Sequence, residues 1–307
     1  MRSEERLEVS EKKWRVTSIL LPSPKEIDDY EKQYDLPRDV FTLHHFTEEV
    51  SRVERLESEV LGECLSLVMV NYREEKDVSA TVEEALFPVS LIFSENQLLI
   101  VTQEQDSMTE IKRLFKVSEG DIPQFLVAYI LESYTYFLHA LKKQKQMIDQ
   151  VNEAAKNSTE KDTLLLLRDI EKNLVYLEHT LDDQKHTTDI ILENESVIEQ
   201  VSKERLNDVT VSCRRVEKMV HLYRGLVDST SGMVSALMDN TLNHLMKYLD
   251  SAALIISIPT LIFSLWGINT GGLIGKDSVL GSIGVVFLAV IATLIAMIFL
   301  RRKDYMS

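Results

Sequence analysis

Hydrophobic and polar positions along this chain change their period twice. From Trp14 to Gln103 the apolar residues alternate or run in short blocks: WRVTSILL alternates up to Pro22-Ser23-Pro24, LGECLSLVMVNY is an apolar run, and FPVSLIFSENQLLIVTQ breaks at Ser94-Glu95-Asn96-Gln97. Alternation and β-branched blocks are the mark of strands, and the break predicts a hairpin-like turn. Glu26 to Tyr34 and Arg38 to Thr47 read instead as short helices, the first ended by Leu36-Pro37. Strands mixed with helices in this order predict a small α/β sandwich over residues 1–120.

After Gln103 the period becomes 3.6. Pro123 stands in the first turn of a helix predicted to reach about Ala155, and Asn157-Ser158-Thr159 caps a second that ends near Glu193. These make a pair of long antiparallel helices over 121–195. A third helix is predicted to begin near Ser196, with no proline before Pro259 and only Gly225 and Gly232 as breakers. Each glycine costs only about 1 kcal/mol in a helix interior. The stalk segment 196–248 therefore continues without a stop into the apolar region, a helix of roughly 70 residues or about 105 Å. Its apolar positions, Val209, Val216, Met219, Leu222 and Leu226 among them, need partner helices, and copies of the same chain are the simplest source.

The second change of period is the loss of charge. No ionisable residue occurs from Ser251 to Gly267, nor from Val279 to Leu300. Each stretch is long enough for a hydrocarbon core of about 30 Å, the first with a turn from its lead-in. The segments are a first span at 249–269, a loop at 270–278, a second span at 279–300 that reads as plainly lipid-facing, and a basic tail at 301–307. Arg301, Arg302 and Lys303 follow the second span directly, so the positive-inside rule puts both termini in the cytoplasm of a multi-pass plasma- or inner-membrane protein. Met1 to Lys13 is charged throughout and has no apolar core of a signal peptide.

Charge and chemistry narrow the function. The net charge of −15 argues against nucleic acid as a partner and draws cations towards the soluble part. The two cysteines, Cys64 and Cys213, have neither metal nor disulfide spacing and read as buried thiols. No Ser-His-Asp order, phosphate loop or CxxC supports an enzyme, and no cofactor is expected. The histidines are scattered apart from His179 and His186, one heptad apart, and the acidic run Glu171 to Glu195 reads as a solvated helix face.

The first span is not uniformly apolar. Ser257, Thr260 and Ser264 fall on one helical face, which continues back through Ala253 and Asp250 to Leu249, Met246 and Asn243. Ile255, Ile258, Ile262, Leu261 and Leu265 take the opposite side, suited to lipid or to the second span. At the outer end Gly267 lets the helix unwind, and Asn269 adds a neutral amide oxygen. A ring of neutral carbonyls suits Mg2+, which dehydrates reluctantly and is better held through its water.

With IPTLIFSLWGIN between two C-terminal spans, the chain resembles the CorA family of divalent-cation transporters, whose Gly-Met-Asn signature appears here as Gly267-Ile268-Asn269. Asn243, Met246, Lys247 and Leu249 match the family pattern ahead of the first span, with Asp250 in place of Thr. The resemblance implies a homopentamer in the lipid bilayer, built as a cytoplasmic funnel, that carries a divalent cation: Mg2+, with Co2+ and Ni2+ as further cargo, or Zn2+ in the broader branch that the near-neutral loop TGGLIGKDS resembles. It implies Gly267, Ile268 and Asn269 as selectivity filter, Thr260 and Ser264 as upper pore lining, Leu249 and Met246 as hydrophobic gate, and Asn243 as a polar ring below. Arg301, Arg302 and Lys303 become a basic collar. Asp250 reads either as an inner cation ring or as an interfacial carboxylate paired with Lys247 or the collar.

Overall fold

The computed structural model describes residues 2–9, 12–43, 45, 47–73, 81–157, 161–268 and 278–302. They divide into two compact units, Met1–Thr230 and Ser231–Ser307.

The first unit is built on a mixed six-stranded sheet in the order β1-β2-β6-β5-β4-β3. The strands are β1 (Arg2–Val9), β2 (Lys12–Leu20), β3 (Arg52–Ser58), β4 (Gly62–Tyr72), β5 (Leu86–Phe93) and β6 (Gln97–Thr102). All neighbours are antiparallel except β2 and β6, where Val16 lies opposite Leu98 and Ile19 opposite Val101. The run FPVSLIFSENQLLIVTQ folds as two strands around a turn at Ser94–Asn96, where Ser94 N–H donates to the Gln97 carbonyl at 2.9 Å.

Period-2 alternation splits these strands between two cores. Trp14, Val16, Leu91, Phe93, Leu98 and Ile100 face α3 (Gln105–Val117) and α4 (Ile122–Asn157). Ile19, Ile92, Leu99 and Val101 face α1 (Pro24–Tyr34), which contributes Ile27, Tyr30 and Tyr34. Every residue of β5 is buried, because a central strand covered on both sides has no solvent face to make polar. Helix α1 starts on a capping box: Ser23 N–H donates to the Glu26 carboxylate at 2.8 Å, Pro24 begins the first turn, and these hydrogen bonds hold the Glu26 carboxyl below its ordinary pKa.

Two sequence expectations are corrected here, and one strand is added to them. Among the described residues Arg38 to Thr47 is not one helix: only the 3-10 turn Arg38–Val40 forms, and Phe41 closes it over the α1 core. Strand β1 was hidden by its polar sequence, RSEERLEV, since an edge strand needs backbone pairing rather than an apolar face. The helix expected from Ser196 begins later. A short α6 (Glu195–Gln200), capped by Asn194, ends at Val201, and a new helix starts at Lys203. Val197 and Val201 are buried, so tertiary packing turns the chain where propensity alone allows it to continue. A four-residue helix, α2 (Val82–Ala85), precedes β5.

The second long helix, α5 (Lys161–Leu192), packs on α4 and makes polar contacts both to α4 and to the loop before β3. Tyr134 and Thr188 hydroxyls lie 3.0 Å apart, Asp183 accepts from Ser51 N–H at 2.6 Å, and Thr187 donates to the Ser51 carbonyl at 2.7 Å. The acidic run on α5 is thus only partly a solvated face: Asp183 anchors the loop before β3, and Glu178 holds Arg224 on the following helix. Cys64 and Cys213 are free and buried, and burial pushes both thiol pKa values up.

Helix α7 (Lys203–Gly267) is continuous for 65 residues, with Pro259 inside it. Helix α8 (Val279–Arg302) follows the loop.

Candidate ion pathway

The sequence-defined site lies almost wholly on the last third of α7, within the second unit. At 100° per residue, Asn243, Met246, Leu249, Asp250, Ala253, Ser257, Thr260, Ser264 and Gly267 share about one third of the helix circumference. All nine are exposed in the single chain; Met246 and Leu249 are open to 62% and 65%. The covered side is the opposite one, where Ser251 is buried and Ala252, Ile255, Ile258, Pro259, Ile262 and Trp266 are half-buried. Leu261 and Leu265, expected with the covered isoleucines, are instead open at 72% and 61% and border the polar stripe.

Two of the three hydroxyls on the stripe are turned to their own helix. Ser257 Oγ donates to the Leu254 carbonyl at 3.0 Å and Thr260 Oγ1 to the Ile256 carbonyl at 2.7 Å. Pro259 has no N–H, so the Ile255 carbonyl loses its usual donor at this level of the helix. Each back-bonded hydroxyl has spent its proton, and its oxygen presents only lone pairs outward. At Ser257 and Thr260 the face is therefore neutral and offers acceptors, which can receive hydrogen bonds from the water of a hydrated cation.

Helix α7 ends at Gly267, where a Cβ would meet nothing within 4 Å, and Ile268 N–H still bonds the Leu265 carbonyl at 3.4 Å. Asn269 and Lys303 lie outside the described residues. Arg301 and Arg302 form the last turn of α8, where two cations complement the helix C-terminus. Sequence reasoning missed that α8 is two-sided. Val285, Ala289 and Leu300 are buried and Gly281, Ala292 and Ala296 half-buried, so a face of mostly small residues is shielded. The signal was present as small residues at helical spacing, the pattern by which membrane helices approach closely.

Both α7 and α8 are long and apolar enough to cross a membrane, and only 6% and 17% of their apolar windows are buried. Core helices of soluble proteins are covered, so these are surfaces made for another apolar medium. An α/β domain, long helices and two such spans define an integral membrane protein with a large extramembrane part. The sequence from 15 to 302 matches the family model described as CorA-like Mg2+ transporter protein, and the chain belongs to that family of divalent-cation transporters.

Solved structures share the fold. The complete CorA magnesium transporter from Methanocaldococcus jannaschii is 15% identical, with a TM-score of 0.74 over 95% of this chain and 91% of that one. The full-length CmaX protein is 14% identical, with a TM-score of 0.65 over 95% and 90%. The ZntB cytoplasmic domain from Vibrio parahaemolyticus is 12% identical, with a TM-score of 0.54 over 74% and 88%. No curated protein matches the chain in sequence. Among the described residues no three His, Cys, Asp or Glu side chains gather into a metal-binding group.

Proposed function

We propose that the protein is a homopentameric channel in which five copies of α7 surround the pore and pass hydrated Mg2+ inward, with Co2+ and Ni2+ as further cargo. The observation that carries this reading is the exposed stripe from Asn243 to Gly267, polar or small in its upper half and, from Ser251 on, opposite the covered side of the helix. A face of hydroxyl oxygens with spent protons fits water-clad cations, whereas a carboxylate ring would bind a bare ion and slow its release. In this reading Gly267, Ile268 and Asn269 make the outer filter and Leu249 with Met246 closes the inner end when dehydrated. Asp250 lies at the inner boundary, as an inner cation ring or as an interfacial carboxylate paired with Lys247 or the collar, and Arg301, Arg302 and Lys303 encircle the cytoplasmic mouth. A membrane potential of 100 mV contributes about 4.6 kcal/mol to the entry of a divalent ion, enough to drive uptake without a coupled proton.

A second reading, transport of Zn2+ or a broader set of transition metals, is favoured by the loop TGGLIGKDS, where one Lys and one Asp cancel and leave no acidic funnel. Uptake into proteoliposomes separates the two: Mg2+, Zn2+, Co2+ and Ni2+ fluxes are compared under a potential, with and without a pH gradient. Mg2+ flux that ignores the pH gradient supports the channel, and Zn2+ flux that follows it supports the second reading. Asn269→Ala is expected to reduce Mg2+ flux at least tenfold; unchanged flux sinks the filter.

A further inference from the structure

Outside the spans, the first unit contains a pocket of about 280 Å³ between α3, α4 and the ends of β4 and β5. Its α4 wall is one helical stripe: Tyr129, Glu132, Ser133 and Tyr136, at i, i+3, i+4 and i+7. Helix α3 contributes Glu104 from its N-cap together with Asp106 and Glu110. Strands β4 and β5 contribute Tyr72 and Phe87, both less than a tenth exposed.

The charges in this pocket do not cancel. Glu104 pairs with Arg73, and Glu110 takes the Arg113 guanidinium on both oxygens, at 2.9 and 3.0 Å. Asp106 and Glu132 make no salt bridge among the described residues, so four carboxylates meet two guanidiniums. The field is felt by Tyr136, whose phenol pKa is raised by burial and then by the charges of Glu132 and Glu110. Aromatic side chains beside two carboxylates that have no cationic partner among the described residues are the surroundings an organic ammonium ion prefers.

A second feature lies at the floor. Ser133 Oγ donates to Asn71 Oδ1 at 3.0 Å, and Asn71 Nδ2 donates to the Tyr129 hydroxyl at 2.6 Å. Tyr129 is only 4% exposed, and its own proton has no acceptor among the described residues. A buried hydroxyl with an unspent proton is costly unless something accepts it. The polar relay thus ends in a donor at a cavity whose other side is anionic.

We propose that this pocket binds a small organic ammonium ion that also carries an acceptor oxygen, an amino alcohol in its simplest form. The ammonium lies between Glu132 and Asp106, the methylenes pack on Tyr72, Phe87 and Tyr136, and the oxygen accepts from Tyr129. A bare or hydrated divalent metal is the poorer fit: no metal-binding cluster forms among the described residues, and the aromatic rings offer it no ligand. The site is separate from the ion pathway and does not depend on the reading of the pore.

The test is saturation-transfer NMR on the full-length protein in detergent, titrated with 4-aminobutan-1-ol, 1,4-diaminobutane and butan-1-ol. Saturable binding of the amino alcohol is expected, at least fivefold tighter than the diamine and tenfold tighter than the alcohol. Glu132→Gln should weaken it tenfold or more, Tyr129→Phe should erase its preference over the diamine, and Glu171→Gln on α5 should leave both unchanged. No saturable binding, an unchanged affinity in Glu132→Gln, or full displacement by equimolar Mg2+ would each overturn the proposal.

Discussion

Two glycines with nearly the same backbone give a controlled measure of how the α/β core is packed. Gly62 (φ 76°) and Gly120 (φ 71°) both occupy the left-handed region that side chains avoid. A Cβ on Gly62 would meet nothing within 4 Å, while one on Gly120 would stand 2.6 Å from Trp14 Nε1 and 3.1 Å from Cδ1. Trp14 has little room to retreat: it is 2% exposed and packs edge-on against Phe115 at 5.0 Å. Gly120 itself is tied to the Phe115 carbonyl by its N–H at 3.2 Å. Alanine in the left-handed region costs about 1–2 kcal/mol, and overpacking a fixed core adds about 1–3 kcal/mol. Gly62→Ala should therefore lose only the first amount and Gly120→Ala both. At a urea slope of about 2 kcal/mol/M the second variant should unfold roughly 0.5–1.5 M earlier than the first. The assay is urea unfolding followed by Trp14 fluorescence in a Trp266→Phe background, which leaves a single tryptophan. Equal midpoints for the two variants would refute the close approach of Gly120 to the indole.

Three further outcomes are expected. Asp183→Ala removes the charged acceptor 2.6 Å from Ser51 N–H and should cost about 1.5–3 kcal/mol in unfolding experiments, against little loss for exposed Asp169→Ala. Tyr134→Phe leaves the Thr188 hydroxyl without its buried partner and should cost about 1–2 kcal/mol, with no change in divalent-cation flux. Burial raises the Cys64 and Cys213 thiol pKa, so folding favours their protonated form. The stability this confers is intact below the unfolded thiol value of about 8.5 and is lost as pH rises from there through the folded values. A Cys64→Ala, Cys213→Ala double variant should accordingly show a shallower alkaline decline in melting temperature, and both wild-type thiols should resist alkylation at neutral pH until the protein unfolds.

Much of the candidate ion pathway was legible because one helix carries it. Helical spacing needs no knowledge of distant contacts, so Asn243 through Gly267 fell on one face from their numbers alone. The hydroxyl orientation was not legible: whether Ser257 and Thr260 bond their own carbonyls or a neighbour depends on the backbone around Pro259. Leu261 and Leu265 are open in the single chain, because hydrophobicity alone marks lipid-facing and helix-facing positions alike and only the fold separates them.

The sequence by itself determined the elements whose signal is local: the β4, β5 and β6 runs, the turn at Pro22-Ser23-Pro24, the long α4 and α5, and two uncharged spans. Tertiary structure decided what depends on partners far along the chain. It put β2 beside β6 in parallel, recruited the polar β1 by backbone hydrogen bonds, and cut the helix at Val201 by burying it. It also brought Tyr129 and Glu132 on α4 up to Asp106 and Asn71. The reason is common to all of these. Periodicity fixes which face a residue occupies, while the energy that selects a partner for that face comes from burial and pairing, which no local pattern contains.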